Sequence, residues 1–189
     1  MEYKIRKIKT NDFHEVRNIC RETSDSHICN SEIKLKISCL LFVEYYIQYE
    51  PENCFVCIND TGEICGYIVA STNCIKFAEM MKKDILSRSE FKNIAHRVFG
   101  YFVLKNSIKA DKKYGVGFHM NVKEKYQGNR IGPRLLDELC NHIRQKGFES
   151  IYLITRNRKT RGYSFYSHYG FKEVYQNMFG NLILAYNIK

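Results

Sequence analysis

The sequence is poor in the features that break a chain into pieces or carry it across a membrane. It has two prolines, Pro51 and Pro133, among 189 residues, which argues against a proline-rich linker. No window approaches the ~18 uninterrupted apolar residues of a membrane-crossing helix. The longest apolar patch, Cys39 to Val43, stops at Glu44. The N-terminal stretch from Met1 to Lys9 alternates charge with apolar residues and lacks the apolar core of a signal peptide, so a cytoplasmic protein is expected. Internal repeats and low-complexity tracts are missing too. Acidic side chains are the minority charge, 20 against 30 Lys and Arg, for a formal net charge of +10. That excess favours an anionic partner, whether nucleic acid, an acidic protein or a phosphate-bearing small molecule, and does not choose among them.

What is present suits one compact domain. Hydrophobic residues make up 44% of the chain, enough to bury a core. The eight cysteines, Cys20, Cys29, Cys39, Cys54, Cys57, Cys65, Cys74 and Cys140, sit without a secretory context. The Cys54-x-x-Cys57 pair has no second knuckle at zinc spacing, and its flanks are strand-forming. Structural thiols packing as small hydrophobes are expected, with no metal site.

Periodicity orders the elements. Tyr3 to Ile8 alternates like a strand. Thr10 to Asp12 offer caps for a helix with Val16, Ile19 and Cys20 on one face, and Ser31 to Tyr49 reads as a second helix closed by Pro51. Cys54 to Asn59 and Glu63 to Thr72 flank an Asp-Thr-Gly turn as a hairpin. Residues 75–112 read as a basic helical insertion. Gly115 to Val122 is a strand, Ile131 to Lys146 an amphipathic helix, Ser150 to Thr155 a strand and Thr160 to Tyr169 a short helix. Phe171 to Gln176 and Asn181 to Ile188 form a closing hairpin around Met178 to Gly180. This order predicts an α/β fold, a mixed sheet with helices on both faces.

The chemistry concentrates between Val122 and Leu136, where a strand runs through a glycine-bearing loop into a helix. A helix start leaves main-chain N–H groups without internal partners, and the helix dipole favours an anion there. Gly128 and Gly132 let a ligand approach the backbone, and Pro133 fits the first turn. These features describe a pyrophosphate cradle. The loop is neither a Walker A motif nor a Gly-x-Gly-x-x-Gly fingerprint.

The run Gln127-Gly-Asn-Arg-Ile-Gly132 resembles the acyl-CoA-binding motif of the GNAT superfamily of N-acetyltransferases, Gln/Arg-x-x-Gly-x-Gly/Ala, with Arg130 standing at the central glycine. Tyr163 to Phe171 is similar to that family's later block, an apolar residue-Tyr-x-x-x-Gly-Phe, with Tyr166 on its tyrosine. Lys159 stands where the family commonly has asparagine, with Asn157 two residues away. The order of elements fits over essentially the whole chain, residues 1–189.

The resemblance implies a single-domain fold with a mostly antiparallel sheet, and acetyl-CoA as acyl donor to a primary amine. Met120 and Val122 would present main-chain groups to the pantetheine arm. Gln127, Gly128, Asn129, Arg130, Gly132 and Pro133 would hold the pyrophosphate. Tyr166 would act as general acid toward the departing thiolate. His119, on the strand before the loop and on the face opposite Met120 and Val122, is the candidate general base. Glu44 and His168 are lesser candidates, more naturally a solvated helix charge and a surface histidine. Tyr45, Tyr46, Tyr49, Tyr101 and Phe102 are candidate walls for the acceptor. Two alternatives stay open. The Arg156–Arg161 run beside Tyr163 and Tyr166 has the look of a single-strand nucleic-acid contact, or the chain is a family member that binds acyl-CoA without catalysis. The acceptor amine is not legible, and monomer and homodimer are both compatible.

Overall fold

A computed structural model describes residues 2–24, 26–177 and 180–188. Seven strands form one sheet: β1 (Tyr3–Lys7), β2 (Cys54–Asn59), β3 (Ile64–Ser71), β4 (Val116–Val122), β5 (Ser150–Thr155), β6 (Lys172–Gln176) and β7 (Leu182–Asn187). Their spatial order is β1-β2-β3-β4-β5-β7-β6, and every pairing is antiparallel except β4 with β5. The helices are α1 (Phe13–Glu22), α2 (Ser26–Cys29), α3 (Glu32–Cys39), α4 (Tyr45–Tyr49), α5 (Cys74–Lys83), α6 (Ile94–Tyr114), α7 (Ile131–Gln145) and α8 (Arg161–Tyr169). The two middle residues expected at the tip of the last hairpin, Met178 and Phe179, lie outside the described residues.

The single parallel pairing matters most for function. β4 matches β3 at six positions, from Gly66↔Val122 to Ser71↔Gly117. It meets β5 only at Val116↔Ile151 and Gly117↔Tyr152, after which the two strands diverge. β5 itself pairs along its whole length with β7. The sheet therefore opens between β4 and β5 in a V whose vertex is at Gly117.

Alternation along the strands builds a core on each face. On one face, the apolar stripe of α7 (Ile131, Leu135, Leu136, Leu139 and Ile143) packs with Phe118 and Ile68 of the sheet and with Tyr166 of α8. On the other, Val16 and Ile19 of α1 pack with Val56, Tyr67 and Val69. Tyr45, Phe77, Met81 and Leu104 join α4, α5 and α6 in a further cluster.

Two helical expectations change in detail. The helix expected over 31–49 is not continuous: Leu40 to Glu44 forms a π turn between α3 and α4. A π turn accommodates one residue more than the α repeat, a device periodicity alone does not reveal. The stretch read as helical over 75–112 is two helices, α5 and α6, separated by short 3₁₀ turns at Ile85–Ser87 and Ser89–Phe91.

Candidate active site

A cleft of about 790 Å³ runs along the open edge of β4. Its floor includes Met120 and Val122, one wall is Gln127, Gly128, Arg130, Gly132 and Pro133, and the other is Thr160, Arg161, Phe165 and Tyr166 of the α8 region. Eight of the ten residues expected at the site thus meet around one opening. Asn129 and His119 are not on its wall. The Asn129 side chain instead donates to the Tyr126 carbonyl at 3.1 Å, bracing the loop from behind.

The loop is held at its entry by charge. Lys123, nearly buried at the end of β4, pairs with Glu15 and Glu63 at 2.5 and 3.0 Å. Lys125 pairs with Glu63 at 2.9 Å and Tyr126 donates to it at 2.6 Å, and Lys125, Tyr126 and Lys123 together hold the Glu63 carboxyl down to about 2. Beyond Tyr126 the backbone turns left-handed twice, at Gly128 (φ 85°) and at Arg130 (φ 57°), which precedes the first residue of α7. Arg130 is the only non-glycine residue with positive φ among those described. That conformation costs an L-residue about 1–2 kcal/mol and explains why a glycine would be at home there.

The strained turn leaves donors free. Among the described residues, none of the main-chain N–H groups of residues 128 to 132 donates to a protein atom, and no side chain caps α7. They surround the positive end of a 15-residue helix dipole. Close packing is the reason for Gly132: a Cβ there would lie 2.9 Å from Phe165 Cζ.

Strand register assigns the floor. Lys123 N–H donates to the Cys65 carbonyl on β3. By the alternation of an antiparallel ladder, the main-chain groups of His119 and Asn121 then face β3, and those of Phe118, Met120 and Val122 face the V. Met120 and Val122 thus present N–H and C=O groups to the opening. The Val122 carbonyl already accepts from Gln127 Nε2 at 3.1 Å.

Tyr166 enters from α8, 8% exposed, packed edge-on against Phe118, Phe165 and Phe171. Its hydroxyl has no protein hydrogen-bond partner among the described residues, and burial raises its pKa above the usual phenol value. It is a fully protonated donor facing a cleft.

His119 lies behind that wall, on the opposite sheet face. Its ring stacks on Phe42 at 5.5 Å, and Nδ1 is 3.1 Å from the Tyr67 hydroxyl. Burial holds the imidazole down to about 4, so it is neutral at physiological pH. Asn121 connects this network to the cleft: it lines the wall and donates to Tyr67 at 3.1 Å.

Other expectations are corrected. Glu44 is not a solvated charge. It is 5% exposed and paired with Arg17 (2.8 and 3.0 Å) and Arg88 (3.4 Å), so it has no free oxygen for catalysis. His168 is a surface residue bonded to the Ser164 carbonyl. Of the aromatic residues expected as walls, Tyr45 is buried with its hydroxyl on Glu50, Tyr49 bonds to Asp84 and Tyr101 is exposed, so none lines the cleft. The basic run near α8 is divided: Arg158 is taken by Glu173 at 2.5 and 3.0 Å, whereas Arg161 faces the cleft. The sequence reading missed Thr160, Phe165, Asn121 and Tyr67. Only their place on α8 or next to His119 by strand alternation pointed to them.

All eight cysteines are unbonded, and among the described residues no cluster of His, Cys, Asp or Glu could hold a metal ion. No helix among them is long and apolar enough to cross a membrane.

Comparison with known proteins bears on the same region. The sequence profile described as the acetyltransferase (GNAT) family matches residues 15–171. No curated protein matches the sequence as a relative. Solved structures similar in fold include SsHAT (17% identity, 100% of both chains covered, TM-score 0.85). The PaiA N-acetyltransferase of Thermoplasma acidophilum, solved in complex with coenzyme A, superposes at TM-score 0.65 with 15% identity over 99% of both chains. The polyamine N-acetyltransferase of Drosophila melanogaster does so at 0.64, with 10% identity over 98% of this chain and 100% of that one.

Proposed function

The chain belongs to the acetyltransferase (GNAT) family, and from that premise we propose that it transfers an acetyl group from acetyl-CoA to a primary amine by direct attack. The observation that carries this reading is the row of unspent main-chain donors at residues 128–132 beside an open strand edge. A diphosphate supplies the acceptors those amides lack, and an extended amide-bearing arm matches the main-chain groups of Met120 and the N–H of Val122, the Val122 carbonyl being taken by Gln127. Arg130 and Arg161 add positive charge at the cleft. On this reading the chain acts as one domain over residues 1–189, with α5 and α6 as an insertion near the acceptor side. Its free thiols suit the reducing cytoplasm.

The residues divide the proton work. As the amine nitrogen bonds to the thioester carbon, its proton becomes acidic. His119, neutral at working pH and set behind the cleft wall, takes that proton through water. The C–S bond then breaks, and Tyr166 gives its phenolic proton to the departing sulfur. Burial raises the Tyr166 pKa, so the phenol carries its proton when the C–S bond breaks. No covalent intermediate on the protein is involved.

The reading of a family member that binds without catalysis keeps one observation in its favour, the strained Arg130 at the motif's central position. Calorimetry with acetyl-CoA, followed by a thiol-release assay across monoamines, polyamines, amino sugars and peptide N-termini, tests both. Binding with turnover supports catalysis. Binding with no turnover on any amine leaves the non-catalytic reading, and absence of acetyl-CoA binding removes both.

A further inference from the structure

The outer face of α6 carries one ridge made of two unlike halves. Ile94, Val98, Tyr101, Lys105, Lys109 and Lys112 follow one another at helical spacing. At 100° per residue they fall within an arc of about 80° and run along about 27 Å of helix. All six are exposed, Ile94 at 69% and Val98 at 63%. The first three are apolar or aromatic, and the last three are lysines. Phe99, 48% exposed, widens the apolar half to an arc of about 160°, and the exposed Arg97 adds a cation beside it. The opposite face is spent on the fold: Gly100 and Leu104 are buried, and Asp111 accepts from Tyr152 of β5.

Water is a poor partner for either half. A solvated ridge gains from opposite charges three or four residues apart, and like charges at that spacing repel. Lys105 and Lys109 are four apart and Lys109 and Lys112 three apart, and none of them has an acidic partner among the described residues. The apolar half exposes side chains that gain by leaving water. A second copy of the chain does not complete the ridge. Parallel copies would set lysines against lysines, and antiparallel copies would set lysines against apolar side chains. The groove of a partner protein takes a narrower seam than 160° of helix. Charge complementarity and the breadth of the apolar arc together point to a surface with an apolar interior and an anionic boundary. Acyl chains would take Ile94, Val98 and Phe99, the interface would take the Tyr101 ring, and headgroup phosphates and carboxylates would pair with the lysines.

We propose that α6 docks the protein on an anionic membrane surface by this outer ridge, with the Ile94–Tyr101 half set into the headgroup layer and the Lys105–Lys112 half paired with the headgroups. The helix lies on the bilayer and does not cross it. The inference stands apart from the acetyl-transfer reading and is tested without turnover.

The experiment is co-sedimentation of the full chain with vesicles of phosphatidylcholine containing about 30% phosphatidylserine, against vesicles of phosphatidylcholine alone, at about 0.1 M salt. The chain has no tryptophan, so Tyr101→Trp supplies a single reporter of burial. Binding to the anionic vesicles alone is expected, with the Tyr101→Trp emission moved to shorter wavelength. The triple variant Lys105→Glu, Lys109→Glu, Lys112→Glu is expected to lower binding at least about 100-fold. The double variant Ile94→Ser, Val98→Ser keeps the net charge and is expected to lower it about tenfold. Every substituted side chain is exposed, so both variants are expected to keep the wild-type circular dichroism and unfolding temperature. No binding to anionic vesicles, equal binding to both vesicle types, or binding that leaves the reporter emission unmoved overturns the proposal. Binding that survives both variants overturns it too. A reporter shift of equal size with polyglutamate in place of vesicles assigns the ridge to an acidic protein and also overturns it.

Discussion

The two sides of the cleft are built from different material. The loop side uses main chain: five consecutive N–H groups and the unpaired edge of β4, placed by two left-handed residues and a helix start. The opposite side uses side chains, Thr160, Phe165 and Tyr166 of the α8 region, and behind the strand floor lie His119 of β4 and Tyr67 of β3, drawn from distant parts of the chain. Backbone donors are insensitive to which side chain each residue has, provided the turn is kept. Side-chain chemistry depends on single atoms. Substitutions on the first side should therefore act through shape, and on the second through loss of one proton site.

The sharpest break in this contrast comes from one oxygen. Tyr166→Phe is expected to lower kcat about 100-fold while leaving acetyl-CoA affinity within about twofold, measured by thiol release and calorimetry. An equal fall in both would place Tyr166 in binding rather than proton transfer. Next, Gly132→Val brings bulk against Phe165, which already lies 2.9 Å from a Cβ at that position. Acetyl-CoA should bind about tenfold more weakly, roughly 1.4 kcal/mol, with kcat at saturation changed far less.

A titration in the fold itself sharpens the picture. Asp111, on α6 beneath the vertex of the V, accepts from Tyr152 at 2.7 Å with no cation paired to it among the described residues, and burial pushes its carboxyl up to about 6. A raised carboxyl pKa means the folded state holds a proton that the unfolded chain has lost. Stability from this group is full below about pH 4 and is lost as pH rises toward 6. Asp111→Asn should therefore stabilise the protein at pH 7 by about 1 kcal/mol and leave it nearly unchanged at pH 4, read from thermal unfolding at both pH values. The smallest expected effect is at Arg130. Arg130→Gly relieves the left-handed strain and should raise stability by about 0.5–1 kcal/mol. It also removes a cation from the cleft, so acetyl-CoA affinity should fall about threefold at low salt and less at high salt.

The same contrast explains what was legible in the sequence. Strand alternation and the amphipathic stripe of Ile131 to Ile143 are local patterns, and they placed the strands and α7 closely. The loop side is contiguous in sequence, so Gln127 to Pro133 could be read as a unit. Tyr166 was found through a resemblance in the Tyr163–Phe171 block. The network behind the cleft resisted because its partners meet only through pairing across strands: Tyr67 is 52 residues from His119. Glu44 was misread for a related reason, since Arg17 and Arg88 reach it from other elements. The π turn at Leu40 to Glu44 has no periodic signature that a helical wheel could detect.

The V between β4 and β5 has a mechanical consequence. Only two residue pairs stitch β1–β4 to β5–β7, and the remaining connection depends on helices lying across both halves. That seam is the weakest line in the sheet, so partial opening under heat or denaturant should begin there, with amide exchange along β4's free edge outpacing that on its β3-facing edge. A ligand seated in the gap would act as a splint across the two halves, slowing their separation as well as presenting its reactive end.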